Sequence, residues 1–227
     1  MARFTLGTVV NWYRYDVSFS IELINSFVQS IERQAAKSIL DYRNSKRSED
    51  GHGGLDRDSW DLKEIFEEYF PSLQRRSALL TVWSFLEHEL NNLCLRYQRE
   101  KGFALAFSDL GGKGIDRSTA YLEKIAGLEG LNASREWHDL KTVQRIRNVI
   151  AHDDGKLRDH EGKPKIGIAE AMKRVGFSSG DDEIVLAEGF LSKVVDACNS
   201  YFKLIAQSVE AKENPSSAQP MQQHEVR

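Results

Sequence analysis

Apolar residues recur along this chain at three- and four-residue steps, the period of one face of a helix, in several long stretches. In the first, Ile21, Ile24, Val28, Ile31, Ala35, Ile39 and Tyr42 predict a helix from roughly Val17 to Ser45 with one buried side. The run Lys46 to Asp58 ends it, because Gly51, Gly53 and Gly54 stand among charges in a sequence a helix would not tolerate. A short helix around Asp61 to Tyr69 is expected to stop before Pro71. Beyond it Leu79, Trp83, Leu86, Leu90, Leu93 and Tyr97 step four, three, four, three, four, which is the strongest periodic signal present and that of a core stripe or helix-helix seam.

After Gly102 the pattern lapses until Asp116, which is placed to cap a helix running to about Ala126. Asn132 or Ser134 is placed to cap the next helix, with Glu136 in its first turn and Trp137, Leu140, Val143, Ile146 and Ile150 on one side. Gly155 to Lys165 reads as a loop, Ile166 to Val175 as a small helix and Asp182 to Leu186 as a brief strand. Leu191, Val194, Cys198, Phe202, Ile205 and Val209 then share one face of a last helix over about Ala187 to Val209. The polar residues after Lys212 are expected to be disordered. The sum is an all-α fold, a helical bundle of four major helices plus short helices, with room for a minor strand or hairpin. It is expected to form a single domain over 1–210 followed by a tail over 211–227.

Composition narrows the class. The chain has 227 residues, 41% of them hydrophobic, enough for one well-filled core. Its two cysteines, Cys94 and Cys198, each sit inside a helical pattern and far apart, as small core side chains of a reduced protein do. No histidine, cysteine or carboxylate cluster has the spacing of a metal site, so no metal or cofactor is expected. The apolar stretch Phe4 to Val10 is too short and too quickly polar for a signal peptide. No apolar run nears the ~20 residues of a membrane span, so a cytoplasmic protein without membrane contact is expected. Gly111, Gly112 and Gly114 do not make a phosphate loop, since Gly112-Lys113 is followed by glycine and preceded by no strand. Trp12, Tyr13 and Tyr15 fit a core edge, or exposed aromatics for stacking bases.

A net charge of -3 excludes a protein that coats nucleic acid through bulk positive charge. The charge is uneven, however: from Lys141 to Arg174 nine basic residues stand against five acidic ones. That segment contains Arg147-Asn148-Val149-Ile150-Ala151-His152. On a helical wheel with Leu140 at zero, Trp137 falls at about +60°, Val143 at about -60°, Ile150 at about -80° and Ile146 at about -120°, and Arg147 falls at about -20°, inside the apolar sector. An unpaired buried guanidinium is costly, so Arg147 must meet a buried acid, line a cleft or face a subunit interface where an anion arrives. Glu87, on the edge of its own helix's apolar stripe, is the natural acid. His152 lies about 140° around an unbroken helix from Arg147, so the two do not stack. Either the backbone leaves the helix near Ala151, or the site is completed by a second subunit.

An arginine followed by asparagine, then a histidine four to six residues after the arginine, at the end of an apolar helix in an all-α chain, resembles the HEPN domains (higher eukaryotes and prokaryotes nucleotide-binding). The match covers Arg147, Asn148 and His152. The resemblance implies a helical bundle that pairs as a homodimer with both motifs facing one cleft. It implies a metal-independent endoribonuclease of a toxin-antitoxin or antiviral-defence system, with RNA as substrate and an antitoxin or defence-system protein as partner. Arg147 and His152 would be catalytic, with Asn148 positioning phosphate or histidine and Glu87 supporting. Asp154 stands where one subgroup carries a tyrosine, so control through that tyrosine is not implied. RNA supplies its own nucleophile, the 2′-OH, so such a cleft needs a base, an acid and cations for the phosphorane, and no metal. The alternative is a non-catalytic dimeric interaction or nucleotide-binding module, for which the net negative charge and the Leu79 to Tyr97 seam speak.

Overall fold

The computed structural model describes residues 8–49, 59–176 and 182–214. The fold is mostly helical, 76%, and no sheet forms among the described residues. The helices are α1 (Ser18–Glu49), α2 (Ser59–Glu64), α3 (Phe70–Lys101), α4 (Gly114–Lys124), α5 (Arg135–Asp153), α6 (Ile168–Val175) and α7 (Phe190–Glu213). The four long ones are α1, α3, α5 and α7, as the apolar periodicity requires. Most of the predicted Lys46 to Asp58 connection, residues 50–58, and the tail from 215 lie outside the described residues. No described helix is long and apolar enough to cross a membrane.

Three expectations need correction. The break before Pro71 does not occur: α2 passes through a π-helical turn, Ile65–Tyr69, straight into α3. A proline ring collides with the carbonyl four residues back in an α-helix, and the wider π turn, whose bonds span five residues, relieves that collision. Asp116 does not cap α4 but lies in its first turn, where a carboxylate favours the helix dipole. The strand over Asp182 to Leu186 shrinks to an isolated bridge between Lys156 and Glu183, beside a second between Arg158 and Pro164. Leu157 N donates to Asp182 O at 2.8 Å and Lys165 N to Leu157 O at 2.9 Å, so three short segments touch without extending into a sheet.

The chain gathers into two compact units. The first takes Met1–Ser20, Leu86–Trp137 and Asn199–Arg227. Its core holds Trp12, Leu90, Tyr97, Tyr121, Tyr201 and Phe202, all fully buried. Trp12 meets Phe202 edge to face at 5.5 Å, and Phe107 meets Tyr121 in the same way. The Arg117 guanidinium lies 4.5 Å from the Phe107 ring centre. The Tyr201 and Thr119 hydroxyls share a hydrogen bond of 2.8 Å, and Arg96, almost wholly buried, pairs with Asp16 at 2.6 Å, whereas Trp12 Nε1 and the Tyr97 hydroxyl are buried without a hydrogen-bond partner. Of the aromatic trio near the start, Trp12 is core, Tyr13 is half-buried and donates its hydroxyl to Asn199, and Tyr15 is exposed.

The second unit takes Ile21–Phe85 and His138–Cys198. Its core joins Val28 and Ala35 of α1, Leu79, Val82 and Trp83 of α3, Leu140, Val143 and Ile146 of α5, and Phe190, Leu191 and Val194 of α7. Two buried arginines bind the irregular segment before α7. Arg75 pairs with Glu32 at 2.8 Å and donates to Leu186 O at 3.1 Å, while Arg76 donates to Ile184 O. Leu186 N in turn donates to Ser72 Oγ. Two arginines therefore do for this segment what a ladder does for a strand, satisfying carbonyls that burial would otherwise orphan.

Both cysteines are buried and unpaired with each other. Burial raises the Cys94 thiol and pushes Cys198 up to about 12. Burial likewise raises the phenols of Tyr97 and Tyr201. Below the ordinary thiol range, about pH 8.5, these groups hold their protons in both states and stability is full. As pH rises the unfolded chain releases protons that the folded chain keeps, so stability falls by up to about 1.4 kcal/mol per pH unit for each such group. The midpoint of thermal unfolding is expected to drop steadily above about pH 9, through the phenol range. Ellman's reagent at pH 8 should find neither thiol in the native protein and both in urea; rapid reaction of a native thiol would contradict this packing.

Candidate functional site

The helix that carries the motif is fixed at its start by Ser134, whose Oγ accepts from Trp137 N at 3.0 Å, with Glu136 in the first turn. Ser134 is thus the cap, and Asn132 instead donates its N–H to Glu123 at 2.8 Å. From His138 onward α5 belongs to the second unit and buries Leu140, Val143, Ile146, Val149 and Ile150.

The far end decides the geometry of the motif. The helix runs unbroken through His152 to Asp153, then reverses through Asp154 and Gly155, whose φ values are +53° and +75°. Gly155 N donates back to Val149 O at 3.0 Å. Arg76 of α3, 5% exposed, locks this exit by donating to Asp154 O at 3.3 Å while holding Ile184 O and pairing with Glu183 at 3.1 Å. A Cβ on Gly155 would sit 2.9 Å from Arg76 Cζ, so both the positive φ and the guanidinium's approach require glycine there.

An unbroken helix removes one of the two routes by which Arg147 and His152 could act together: the backbone does not leave the helix near Ala151. The two side chains stay about 140° apart. His152 is exposed on the last turn. Arg147 is half-buried, its Nη1 donating to Asn148 Oδ1 at 3.1 Å, while its Nε is buried with no hydrogen-bond partner. Asn148 thus engages the arginine rather than the histidine. A buried donor without a partner costs about 1–3 kcal/mol and more when it belongs to a charged group. Glu87 belongs to the first unit, where its carboxylate lies against the first residue of α4; a methyl on Gly114 would come within 2.5 Å of Glu87 Oε1.

The local positive excess is concentrated by pairing. Arg174 meets Asp139 at 3.4 Å, Lys165 meets Asp153 at 2.9 Å, Lys163 meets Glu161 at 2.5 Å and Arg158 approaches Asp182 at 3.5 Å. Arg145 and Arg147 of α5 meet no carboxylate in any of these pairs. Sequence reasoning passed over Arg145, which follows from reading the polar side of α5 by the same period as its apolar side. It also passed over Arg76, three residues before Leu79 and hence on the buried stripe of α3.

Among the other histidines His88 and His138 are exposed, and His160 lies near Glu161 at 3.8 Å. Among the described residues no three histidine, cysteine or carboxylate side chains gather as they would around a metal ion. Compared with known proteins, the chain matches no family model, no curated protein and no solved structure.

Proposed function

We propose that this protein is a metal-independent endoribonuclease, acting as a toxin or antiviral-defence effector, whose cleft is completed when two protomers bring their α5 ends together. The observation that carries this reading is Arg147: half-buried, with an Nε that is buried and unpartnered, on the helix that ends in an exposed histidine. The half-buried guanidinium stays partly open to an anion that arrives from outside the chain, whose binding would offset the cost of burying Nε without a partner. One chain keeps Arg147 and His152 on different sides of a continuous helix, and a two-fold mate supplies what each lacks.

The chemistry balances without further reagents. The imidazole of one His152 takes the proton of the ribose 2′-OH as that oxygen attacks the adjacent phosphorus. The same imidazole, now protonated, returns that proton to the departing 5′-oxygen, leaving a 2′,3′-cyclic phosphate and a 5′-hydroxyl. Arg147, steadied by Asn148, stabilises the charge that builds on the phosphorane oxygens. Purified protein incubated with total RNA in EDTA is expected to yield fragments with these end groups, and its expression is expected to arrest growth. RNA left intact by a dimeric wild-type protein would overturn the nuclease reading and favour a non-catalytic dimeric module.

A further inference from the structure

We infer that a groove in the first unit, between the chain entering α1 and the second half of α3, binds one unpaired adenine nucleotide. Its base lies on Phe19 and Tyr15, its edge meets Asn92 and its phosphate meets Arg99. All ten residues that line the groove belong to the first unit, and its volume of about 860 Å³ is that of a pocket for a small organic ligand.

Three large apolar side chains open onto this groove instead of into the core. Tyr15 and Phe19, four residues apart and so about one turn from each other, are 58% and 63% exposed, and Leu95 faces them from α3 at 44%. Apolar groups gathered at the surface mark a place where something binds, and flat rings left open suit a nucleobase, whose faces stack on them. Asn92, Leu95 and Arg99 step three and four along α3 and so share one edge of it. Asn92 is half-buried beside the rings, and its amide makes no hydrogen bond among the described residues.

That amide selects the base. It offers a donor and an acceptor side by side, which match the amino group and neighbouring ring nitrogen of adenine, whereas guanine presents two adjacent acceptors on the corresponding edge. The charges of the lining place the phosphate. Its two carboxylates sit deep, Glu89 at 7% exposure and Asp16 paired with the buried Arg96 at 2.6 Å. Arg99 is exposed and gives only Nε to Leu95 O, which leaves both Nη nitrogens for a phosphate. The Arg14 guanidinium, 5.6 Å from the centre of the Tyr15 ring, adds a second cation beside the rings. A partner helix fits less well, because such helices lay an apolar face into an apolar groove, and seven of the ten lining residues here are polar or charged.

The test is calorimetric titration of the full chain with adenosine 5′-monophosphate (AMP), its guanine counterpart (GMP) and a 2′-O-methyl hexa-adenylate, none of which the nuclease chemistry can cut. AMP should bind at least about fivefold more tightly than GMP. Phe19→Ser should weaken AMP about 5- to 150-fold, and Asn92→Leu should bring AMP and GMP to equal affinity. Both variants should melt with wild type in the absence of ligand. A hexamer at least about tenfold tighter than AMP would name an RNA strand as the source of the nucleotide, and one no tighter would name the free nucleotide. No binding of AMP or hexamer at about 1 mM, unchanged binding by Phe19→Ser, or equal binding of AMP and GMP by wild type would overturn the inference. A dimer that Phe19→Ser dissociates, with no nucleotide bound, would assign the groove to a second copy of the chain instead. The inference stands apart from the nuclease reading: AMP binding by a protein that leaves ordinary RNA intact would keep the groove and remove that reading, and cleavage without AMP binding would do the reverse.

Discussion

Homodimers of His152→Ala and of Arg147→Ala are each expected to leave RNA intact, and a mixed dimer of the two to cut it. Removing a general acid-base group costs about 10²–10⁴ in rate, and removing a cation aimed at developing charge costs about 10²–10³. Either loss takes cleavage below detection in an ordinary gel assay. Co-expression pairs the two variants at random, so roughly half the dimers are mixed, and each mixed cleft holds one intact Arg147 and one intact His152. Recovery of cleavage on mixing, with the same 2′,3′-cyclic ends, is the result that only a shared cleft gives. Failure to recover would confine the chemistry to one chain, against the angular separation imposed by continuous α5. Full activity of the His152→Ala homodimer would remove the histidine from the mechanism altogether. Folding does not confuse the readout: His152 is exposed, and Arg147→Ala removes one exposed hydrogen bond, to Asn148, together with a buried Nε that has no partner.

How far the chain announces this arrangement differs from element to element. Leu79, Trp83, Leu86, Leu90, Leu93 and Tyr97 are all fully buried, because a stripe of six apolar residues at helical spacing has no stable home except a core. The same periodicity places Arg147 within the apolar side of α5, and its half-burial follows. Its hydrogen-bond partner does not follow, since the choice between Asn148 and another acceptor depends on side-chain directions set by packing. Likewise the end of α5 was ambiguous between Ala151 and Asp153: the sequence Asp153-Asp154-Gly155 marks a stop without fixing the residue. What fixes it is remote, a guanidinium from α3 bonded to Asp154 O. Pro71 misled for a related reason, because a proline normally ends a helix and only the π turn before it lets the chain run on. Arg75 and Arg76 were open to the argument used for Arg147, being four and three residues before Leu79. Unlike Arg147, their guanidinium groups are satisfied within the chain, so they carry structure.

Arg76→Ala is expected to be the most damaging single change in the second unit. The side chain is 5% exposed, bonds the carbonyls of Ile184 and Asp154, and pairs with Glu183 at 3.1 Å. Truncation leaves two carbonyls short of a donor and a half-buried carboxylate unpaired, a loss of about 3–5 kcal/mol. For a chain of this size that lowers the unfolding midpoint by on the order of 10 °C. Arg76→Lys should recover only part, because an ammonium cannot span both carbonyls as the planar fork does. Gly155→Ala attacks the same joint from the other side, combining a positive φ, about 1–2 kcal/mol for a residue with a Cβ, with a 2.9 Å approach to Arg76 Cζ. The two changes should therefore not add. In the Arg76→Ala background the approach is gone, so Gly155→Ala costs only its backbone strain, and the double-mutant cycle shows a coupling of at least about 0.5 kcal/mol. Activity should respond as well, since displacement of a catalytic group by about 1 Å can cost 10²-fold and this joint sets where the last turn of α5 holds His152. Calorimetry of the four proteins together with their RNA cleavage rates decides the matter. Strict additivity in stability, or Arg76→Ala protein that melts with wild type, would mean that the guanidinium does not hold the end of α5.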